Sequence, residues 1–378
     1  MADTKGTLSG QYPRLCIDLG TIEANFRAIG VLCSPHGIAL TGVVKGAGGM
    51  IPVAAAMVKG GCSTLASSRL AQLEILKDAT RDLSSGLHPS LSLGLLRVPA
   101  PSEIDDVVAI ADWSLQSDPC ALEQTAQAAR RAGKRHGVVL MRDLGDLREG
   151  WFDEEQLIAQ AVGVERDMPS LHLRGIGTNL SCYGSILPSP DNLGSLIKTA
   201  RSIESRIGRQ LEVVSGGATT SLPLLLRGTM PLGISELRIG EAGLCARDMS
   251  HFYGLAIPGV REDAFTLTAE LVEIRRKPSV PIGERLVDAF GNHPEYEQRG
   301  TRTRLLLAVG KRDFGNHEHL LPRDPRVRVI GSSSDHLICE LDDSVSDIEY
   351  GSLLDFDLLY GAMLFLSDHN PYVKIEYR

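Results

Sequence analysis

Eight short apolar runs alternate with longer amphipathic stretches between residues 40 and 244, and this alternation constrains the fold more than any other feature of the 378-residue chain. The apolar runs are interpreted as buried strands, and the stretches between them carry the spacing of amphipathic helices. The predicted strands are Leu40–Lys45, Ser63–Ser67, Leu91–Arg97, Trp113–Ser117, Val138–Asp143, Leu173–Asn179, Leu211–Ser215 and Glu236–Ile239. Eight strand-then-helix units predict an α/β fold, a parallel (β/α)8 barrel of the TIM type.

An open doubly wound sheet is the alternative, but no G-x-G-x-x-G segment opens a helix after the first strand, so the barrel is the better interpretation. After about residue 255 the apolar runs are separated by clusters of Gly, Pro, Asn and Asp. That pattern predicts strands joined by turns, without intervening helices. We therefore predict a barrel over residues 14–255 and a mostly β domain over residues 256–378, with residues 1–13 as a further candidate for packing on the second domain.

Composition excludes several classes of function. The net charge of -8 is spread out and forms no basic stripe, which argues against a nucleic-acid partner. The first ten residues lack the apolar core of a signal peptide, and no apolar run approaches membrane-spanning length. Seven scattered cysteines form no C-x-x-C pair, so neither a disulfide framework nor a zinc knuckle is indicated. We expect a cytoplasmic protein.

Lys45 closes the first predicted strand and is followed by Gly46-Ala47-Gly48-Gly49. An ammonium at the end of a buried strand is costly to desolvate, so its pKa should fall toward the range in which the amine is nucleophilic. Such a lysine can bond covalently to the carbonyl carbon of a cofactor. From this segment alone, an ordinary lysine emerging at a strand end is an equal alternative.

The C-terminal ends of barrel strands are where catalytic residues collect. After the seventh strand, the segment Val214–Ser221 supplies two glycines and several hydroxyls just before a predicted helix. Backbone N–H groups, short donors and the positive end of a helix suit a phosphate, although a capped helix start with a tight turn has the same sequence pattern. The predicted phosphate-binding residues are Ser215, Gly216, Gly217 and Thr219. A phosphate site and a carbonyl-reactive lysine on one rim together indicate pyridoxal 5'-phosphate (PLP).

Four segments then resemble, in order, the alanine-racemase-like PLP enzymes, which are built from a barrel and a β-domain. These segments are Gly42–Lys45, Arg142–Gly150, Gly175–Leu180 and Leu237–Ala242. The likeness covers nearly the whole chain and is greatest to the ornithine racemase branch. It implies a homodimer with active sites at the subunit interface.

The resemblance also implies roles for individual residues. Lys45 would bind the cofactor's aldehyde, Arg148 would serve the substrate side, and Arg238 would face the pyridine nitrogen. Asn179 stands where alanine racemases usually carry histidine. Further implied cofactor contacts are Gly240, Glu241 and Tyr360, and the implied substrate contacts across the dimer interface are Ser334 and Asp335.

The second acid–base group is where the chain departs from the family pattern. Alanine racemases use a tyrosine within a V-G-Y-x-D-G-Y segment, whereas the corresponding stretch Ala308–Phe314 places Lys311 at that position. Gly49 likewise stands where the family carries a tyrosine after the cofactor lysine. Our hypothesis is that Lys311 is the second base. The rival candidates are Cys182, Tyr183 and His336.

The predicted function is a PLP-dependent racemase that interconverts the L and D enantiomers of ornithine or a related basic amino acid by two-base proton transfer. Another PLP reaction on the same fold (decarboxylase, aldolase or dehydratase) and a non-catalytic PLP carrier remain alternatives. The candidate carboxylates for a distal substrate ammonium are Asp143, Asp146, Glu149, Asp313 and Asp335. No metal site is predicted, because His317-Glu318-His319 has no third ligand nearby.

Overall fold

A computed structural model of the protein describes residues 11–81, 91–342, 347–368 and 370–378. The described chain forms two compact units: residues 19–261 form the barrel unit, and residues 11–18 with 262–378 form the β unit. These boundaries differ from the predicted 14–255 and 256–378 at both ends. Residues 14–18 join the β unit because β1 (Arg14–Ile17) pairs with strands of that unit. Of the predicted segment 1–13, residues 1–10 lie outside the described residues.

Within the described ranges, eight parallel strands close into a barrel in chain order, which confirms the predicted fold class. They are β2 (Ala39–Val43), β3 (Thr64–Ser67), β4 (Ser92–Leu95), β5 (Trp113–Gln116), β6 (His136–Met141), β7 (Leu171–Gly177), β8 (Val213–Ser215) and β9 (Glu236–Ile239). The barrel closes where β9 pairs with β2, with Leu237 opposite Leu40. Their C-terminal ends therefore lie on one rim.

Helices connect the strands of the barrel unit. They are α1 (Leu19–Cys33), α2 (Ile51–Lys59), α3 (Leu70–Arg81), α4 (Ile104–Ile110), α5 (Pro119–Arg131), α6 (Glu154–Asp167), α7 (Pro190–Ile207), α8 (Leu222–Leu226), α9 (Glu241–Leu244) and α10 (Arg247–Tyr253). Side-chain caps define several of their starts: Asp153 accepts the Gln156 N–H at 2.9 Å and Ser189 accepts the Asn192 N–H at 3.2 Å. Gly208, with φ of 74°, ends α7 in the left-handed conformation that favours glycine.

The barrel interior is filled by side chains from several strands. Trp113 is 1% exposed and packs in one cluster with Leu115, Val139 and Met141. A Cβ at Gly94 would lie 2.1 Å from Cζ2 of Trp113, so a glycine on β4 makes room for the indole. The barrel is thus a packed core below a polar rim.

The β unit contains a mainly antiparallel sheet. Its further strands are β10 (Phe265–Pro278), β11 (Thr301–Leu307), β12 (Leu320–Pro322), β13 (Val327–Ser332), β14 (Leu337–Leu341), β15 (Leu353–Leu358) and β16 (Lys374–Tyr377). The order is β12-β15-β10-β11-β14-β13, and β1 pairs with both β10 and β16.

The prediction that no helix interrupts these strands is wrong. The β unit also contains the single turn α11 (Lys311–Phe314) and the helix α12 (Tyr360–Ser367). The apolar run of α12 does not show by its periodicity whether it is a buried helix or a buried strand. Among the described residues, no helix combines the length and apolar character needed to cross a lipid bilayer.

His136 at the start of β6 makes the barrel sensitive to acid. The imidazole is 2% exposed, its Nε2 lies 3.0 Å from Ser114 Oγ, and burial lowers its pKa from 6.5 to about 4. In the unfolded chain His136 is protonated below about pH 6.5, whereas in the folded barrel it is protonated only below about pH 4. The free energy of unfolding therefore falls by about 3 kcal/mol as the pH is lowered from about 6.5 to about 4.

We expect His136→Gln to remove this loss of unfolding free energy between pH 7 and pH 4. Denaturant unfolding of the barrel at several pH values would measure it, and His251→Gln at an exposed position is the control. An unchanged pH dependence in His136→Gln would show that another group is responsible.

Candidate active site

Lys45 lies at the rim of the barrel in a 3-10 turn, Val44–Ala47, directly after β2. The predicted strand Leu40–Lys45 therefore runs two residues too far. Gly48 and Gly49, with φ of 58° and 71°, complete the turn, and a Cβ at Gly49 would lie 2.7 Å from Gln72 Cβ. This close approach favours glycine at the position where the resemblance described above implies a tyrosine.

The Lys45 amine is in an environment that favours its neutral form. Burial is the largest cause and lowers the pKa of Lys45 below 10.5, and the positive charges of Arg148 and Arg238 act in the same direction. The Cys182 side chain and the Glu149 carboxylate raise the pKa of Lys45 in part. Because their charges or dipoles act on the Lys45 amine, Arg148, Cys182 and Arg238 lie near it on the rim.

Arg238 on β9 is the most firmly held charge of the site. Its side chain is 3% exposed, and its Nη2 donates to Thr178 O at 2.7 Å and to Asn179 Oδ1 at 2.6 Å. Its Nη1 donates to Ser215 Oγ, which in turn donates to Glu236 Oε1 at 2.9 Å. Burial lowers the pKa of Arg238, while the Glu236 carboxylate opposes this effect.

Glu149 links the two arginines of the site, a role that the sequence analysis missed. Its carboxylate accepts from Arg148 Nε at 2.5 Å and Nη2 at 2.8 Å, and it also accepts from Asn179 Nδ2. Asn179 then accepts from Arg238. In the sequence, only its position next to Arg148 indicated this role for Glu149, because the contact with Asn179 forms only when the barrel closes.

The predicted phosphate loop connects β8 to a short helical turn, Thr219–Ser221. Gly217 has φ of 98°, and a Cβ at Gly216 would lie 2.7 Å from Ile234 Cγ2. The backbone N–H groups of Gly217 and Ala218 donate to no atom of the described residues. Thr219 Oγ1 instead accepts the Ala242 N–H at 3.2 Å, which ties the loop to α9.

A phosphate-bearing aldehyde fits this set of residues. Thr220 Oγ1 is shielded from solvent and has no hydrogen-bond partner among the described residues, so the loop holds an unused hydroxyl beside unused amides. Gly240, where a Cβ would lie 3.3 Å from Val43 Cβ, brings the start of α9 close to β2. Glu241 opens that helix, and its carboxylate accepts the Asp248 N–H at 3.1 Å. Its contact with the cofactor stays a prediction.

The β unit brings together a second group of predicted residues. Lys311 N donates to Ser333 O at 2.9 Å, and Ser334 Oγ donates to Asp335 Oδ2 at 2.7 Å. The Lys311 ammonium lies 4.0 Å from the centre of the Phe290 ring, a cation–π contact. Tyr360 is the first residue of α12 in the same unit.

The rival bases occupy different places. Cys182 and the 73% exposed Tyr183 belong to the loop after β7, and His336 is an exposed residue of the β unit. His317 belongs to the His317-Glu318-His319 segment, for which no metal site was predicted. Its Nδ1 lies 3.1 Å from Ser332 Oγ.

Residues 17–244, which contain the Lys45 turn and Arg238, match the sequence model of the alanine racemase N-terminal domain. The chain belongs to the alanine racemase family. It is 37% identical to an ornithine racemase of Acetoanaerobium sticklandii over 93% of this chain and 96% of that protein. It is 34% identical to a lysine racemase of Thermotoga maritima over 97% and 98% of the two chains.

A solved alanine racemase from Streptomyces coelicolor A3(2) has the same fold, with a TM-score of 0.67, 20% identity and coverage of 96% and 97%. Family membership makes this protein a PLP-dependent amino-acid racemase, an isomerase.

We expect Gly217→Ala to weaken PLP binding at least tenfold. The substitution places a Cβ 3.1 Å from Ser221 Oγ at a φ of 98°, so the loop that offers its amides must change shape. Gly208→Ala is the matched control, because it imposes a similar strain at a φ of 74° but lies at the end of α7. Quenching of intrinsic fluorescence on titration with PLP measures the PLP affinity of each variant. Equal affinities of Gly217→Ala and Gly208→Ala would contradict the role of this loop.

Proposed function

We propose that this protein racemises a basic amino acid such as ornithine or lysine. The observation that carries the proposal is Lys45, a half-buried amine on a barrel rim whose pKa is lowered by burial and by the charges of Arg148 and Arg238. The two relatives that match almost the whole chain are an ornithine racemase and a lysine racemase.

Arg148 is suited to the carboxylate of the substrate. Glu149 occupies its Nε and Nη2, which leaves the Nη1 hydrogens of a 37% exposed side chain for an incoming anion. A guanidinium held in this way loses little conformational freedom when the substrate binds.

Several of the candidate carboxylates for the distal ammonium are already engaged within the protein. Asp143 accepts the N–H groups of Gly145 and Leu147, and Asp313 accepts from Gly310 N and Asn370 Nδ2. Asp146 is 1% exposed and is likewise bonded to backbone amides. Asp335 accepts from Ser334 Oγ and lies 3.6 Å from Arg312 Nη1, but its side chain is 61% exposed. It is therefore the most accessible of the group, and we assign it the distal ammonium.

In the proposed mechanism the neutral Lys45 amine takes the α-proton on one face and Lys311 returns a proton on the other. When bound, PLP supplies a conjugated ring that accepts negative charge from the α-carbon. Lys45 would bind its aldehyde, and the amides at Gly217 and Gly240 would hold its phosphate, with Ser215, Gly216, Thr219 and Tyr360 as further proposed contacts. Arg238 would donate a hydrogen bond to the ring nitrogen. Because an arginine does not release its proton, the nitrogen would stay unprotonated.

The proposed assembly is a homodimer in which Ser334, Asp335 and Lys311 border the partner's substrate. Sedimentation analysis together with activity at decreasing concentration tests this, and a fully active monomer would contradict it. A cytoplasmic location is proposed from the seven free cysteines.

A panel of single L-amino acids in deuterated water tests the proposed function. We expect ornithine and lysine to racemise with deuterium at Cα, at a kcat/KM at least 100-fold above that of norleucine, which lacks the distal ammonium. Asp335→Asn should lower kcat/KM for lysine and leave norleucine unchanged. Faster turnover of alanine would contradict the substrate assignment, and release of carbon dioxide, ammonia or an aldehyde would indicate a different reaction.

A further inference from the structure

Asp146 is a buried carboxylate that holds four consecutive backbone amides. The side chain is 1% exposed, and it accepts the N–H groups of Ser181 at 3.0 Å, Cys182 at 3.3 Å, Tyr183 at 3.0 Å and Gly184 at 3.1 Å. Both carboxylate oxygens are used, so the group is not available to a substrate ammonium. Amides that converge on one anion in this way form the same type of cradle that elsewhere binds phosphate.

The backbone around this contact is held in unusual conformations. Ser181 and Ser185 have φ of 64° and 57°, and Leu147, next to Asp146, has φ of 56°. Non-glycine residues adopt this region only where neighbouring contacts compensate for the strain. A Cβ at Gly184 would lie 2.8 Å from Asp146 O, so the two segments are in direct backbone contact.

The two joined segments both carry residues of the site. Arg148 follows Asp146 by two positions, and Asn179, which accepts from Arg238, precedes Ser181 by two. Cys182 is close enough to Lys45 to affect its pKa, and the loop is solvent-exposed from residue 182 to residue 187. An exposed loop that must present a side chain to a reaction centre needs such an anchor.

We propose that Asp146 is a positioning residue that locks the loop 181–184 onto the segment 143–150 and thereby makes Cys182 a wall of the substrate pocket. This inference rests on the proposed function, because the pocket it completes is that of the racemase. Asp146 acts through the loop and does not itself touch the reacting atoms.

Alkylation of the holoenzyme by iodoacetamide, followed by peptide mass spectrometry, tests the proposal without using activity. Cys120 on α5 is exposed and serves as an internal reference thiol. In the wild type, lysine added to the PLP-loaded protein should slow alkylation of Cys182 at least fivefold and leave Cys120 unchanged. Asp146→Asn should abolish this protection of Cys182 by lysine and lower kcat/KM for lysine at least tenfold.

Asp153→Asn is the matched control, because Asp153 also accepts a backbone N–H but caps α6. It should leave both alkylation rates and kcat/KM near wild-type values. A folded Asp146→Asn in which lysine still protects Cys182 as in the wild type would overturn the proposal, and so would alkylation of wild-type Cys182 that bound lysine does not slow.

Amide hydrogen exchange on the wild type covers the case in which Asp146→Asn does not fold. The amides of residues 181–184 should exchange at least 100-fold more slowly than an unprotected chain, and free exchange would overturn the proposal. If no amino acid is racemised but these amides are protected and PLP with lysine shields Cys182, the proposed function fails while the positioning role stands.

Discussion

Lys45→Ala should reduce racemisation by at least about 10³-fold while leaving the barrel folded. The variant loses the amine that anchors the cofactor and also the base for one face of the α-carbon, and positioned acid–base groups alone contribute about 10²–10⁴-fold. Chiral chromatography of lysine incubated with the enzyme would measure the loss. Circular dichroism and thermal unfolding would confirm that the variant is folded.

Lys59→Ala is the matched control for Lys45→Ala, because Lys59 is an exposed lysine at the end of α2 in the same unit. It should retain wild-type activity. Borohydride reduction of the PLP-loaded protein should fix the cofactor on the peptide that contains Lys45. Attachment to another lysine, or substantial activity in Lys45→Ala, would remove Lys45 from the proposed mechanism.

Lys311→Met should lower the rate of racemisation by about 10²–10⁴-fold, yet leave proton exchange on one face of the α-carbon intact. If Lys45 serves one face alone, one enantiomer of lysine should still exchange its α-hydrogen with deuterated water and keep its configuration. Proton magnetic resonance of each enantiomer, incubated separately, measures exchange and inversion independently.

Lys277→Met is the control in the same unit, where the ammonium lies 2.5 Å from Glu273 Oε1. It should behave as wild type. Cys182→Ala tests the rival assignment: if it, and not Lys311→Met, shows exchange without inversion, the second base lies in the barrel unit. Normal exchange of both enantiomers in Lys311→Met would reject Lys311.

The barrel strands were predictable because the signal for them is local. Each apolar run of β2 to β9 lies between amphipathic stretches. Whether a side chain on a strand or helix is buried follows from the periodicity of apolar residues within a short stretch of sequence. The same reasoning failed at α12, where an apolar helix follows an apolar strand and no change of period marks the boundary. It also placed Arg14–Ile17 with the barrel, whereas β1 pairs with β10 some 250 residues later.

The identity of the reactive lysine and of the phosphate loop was accessible from the sequence, since each is carried by a few adjacent residues with a distinct chemistry. The connections between them were not. Arg238 meets Asn179 across 59 positions, and Asp146 meets Cys182 across 36. Contacts at such separations depend on how the strands close into a barrel, and no short pattern encodes that.

The sequence by itself thus determined the eight-unit barrel, the β-rich second unit and Lys45 as the residue to expect at the centre of the chemistry. Only the tertiary structure decided that Glu149 joins the two arginines and that a buried Asp146 holds the Cys182 loop. The physical reason is that burial and hydrogen bonding of a polar side chain are set by whichever distant segment folds against it.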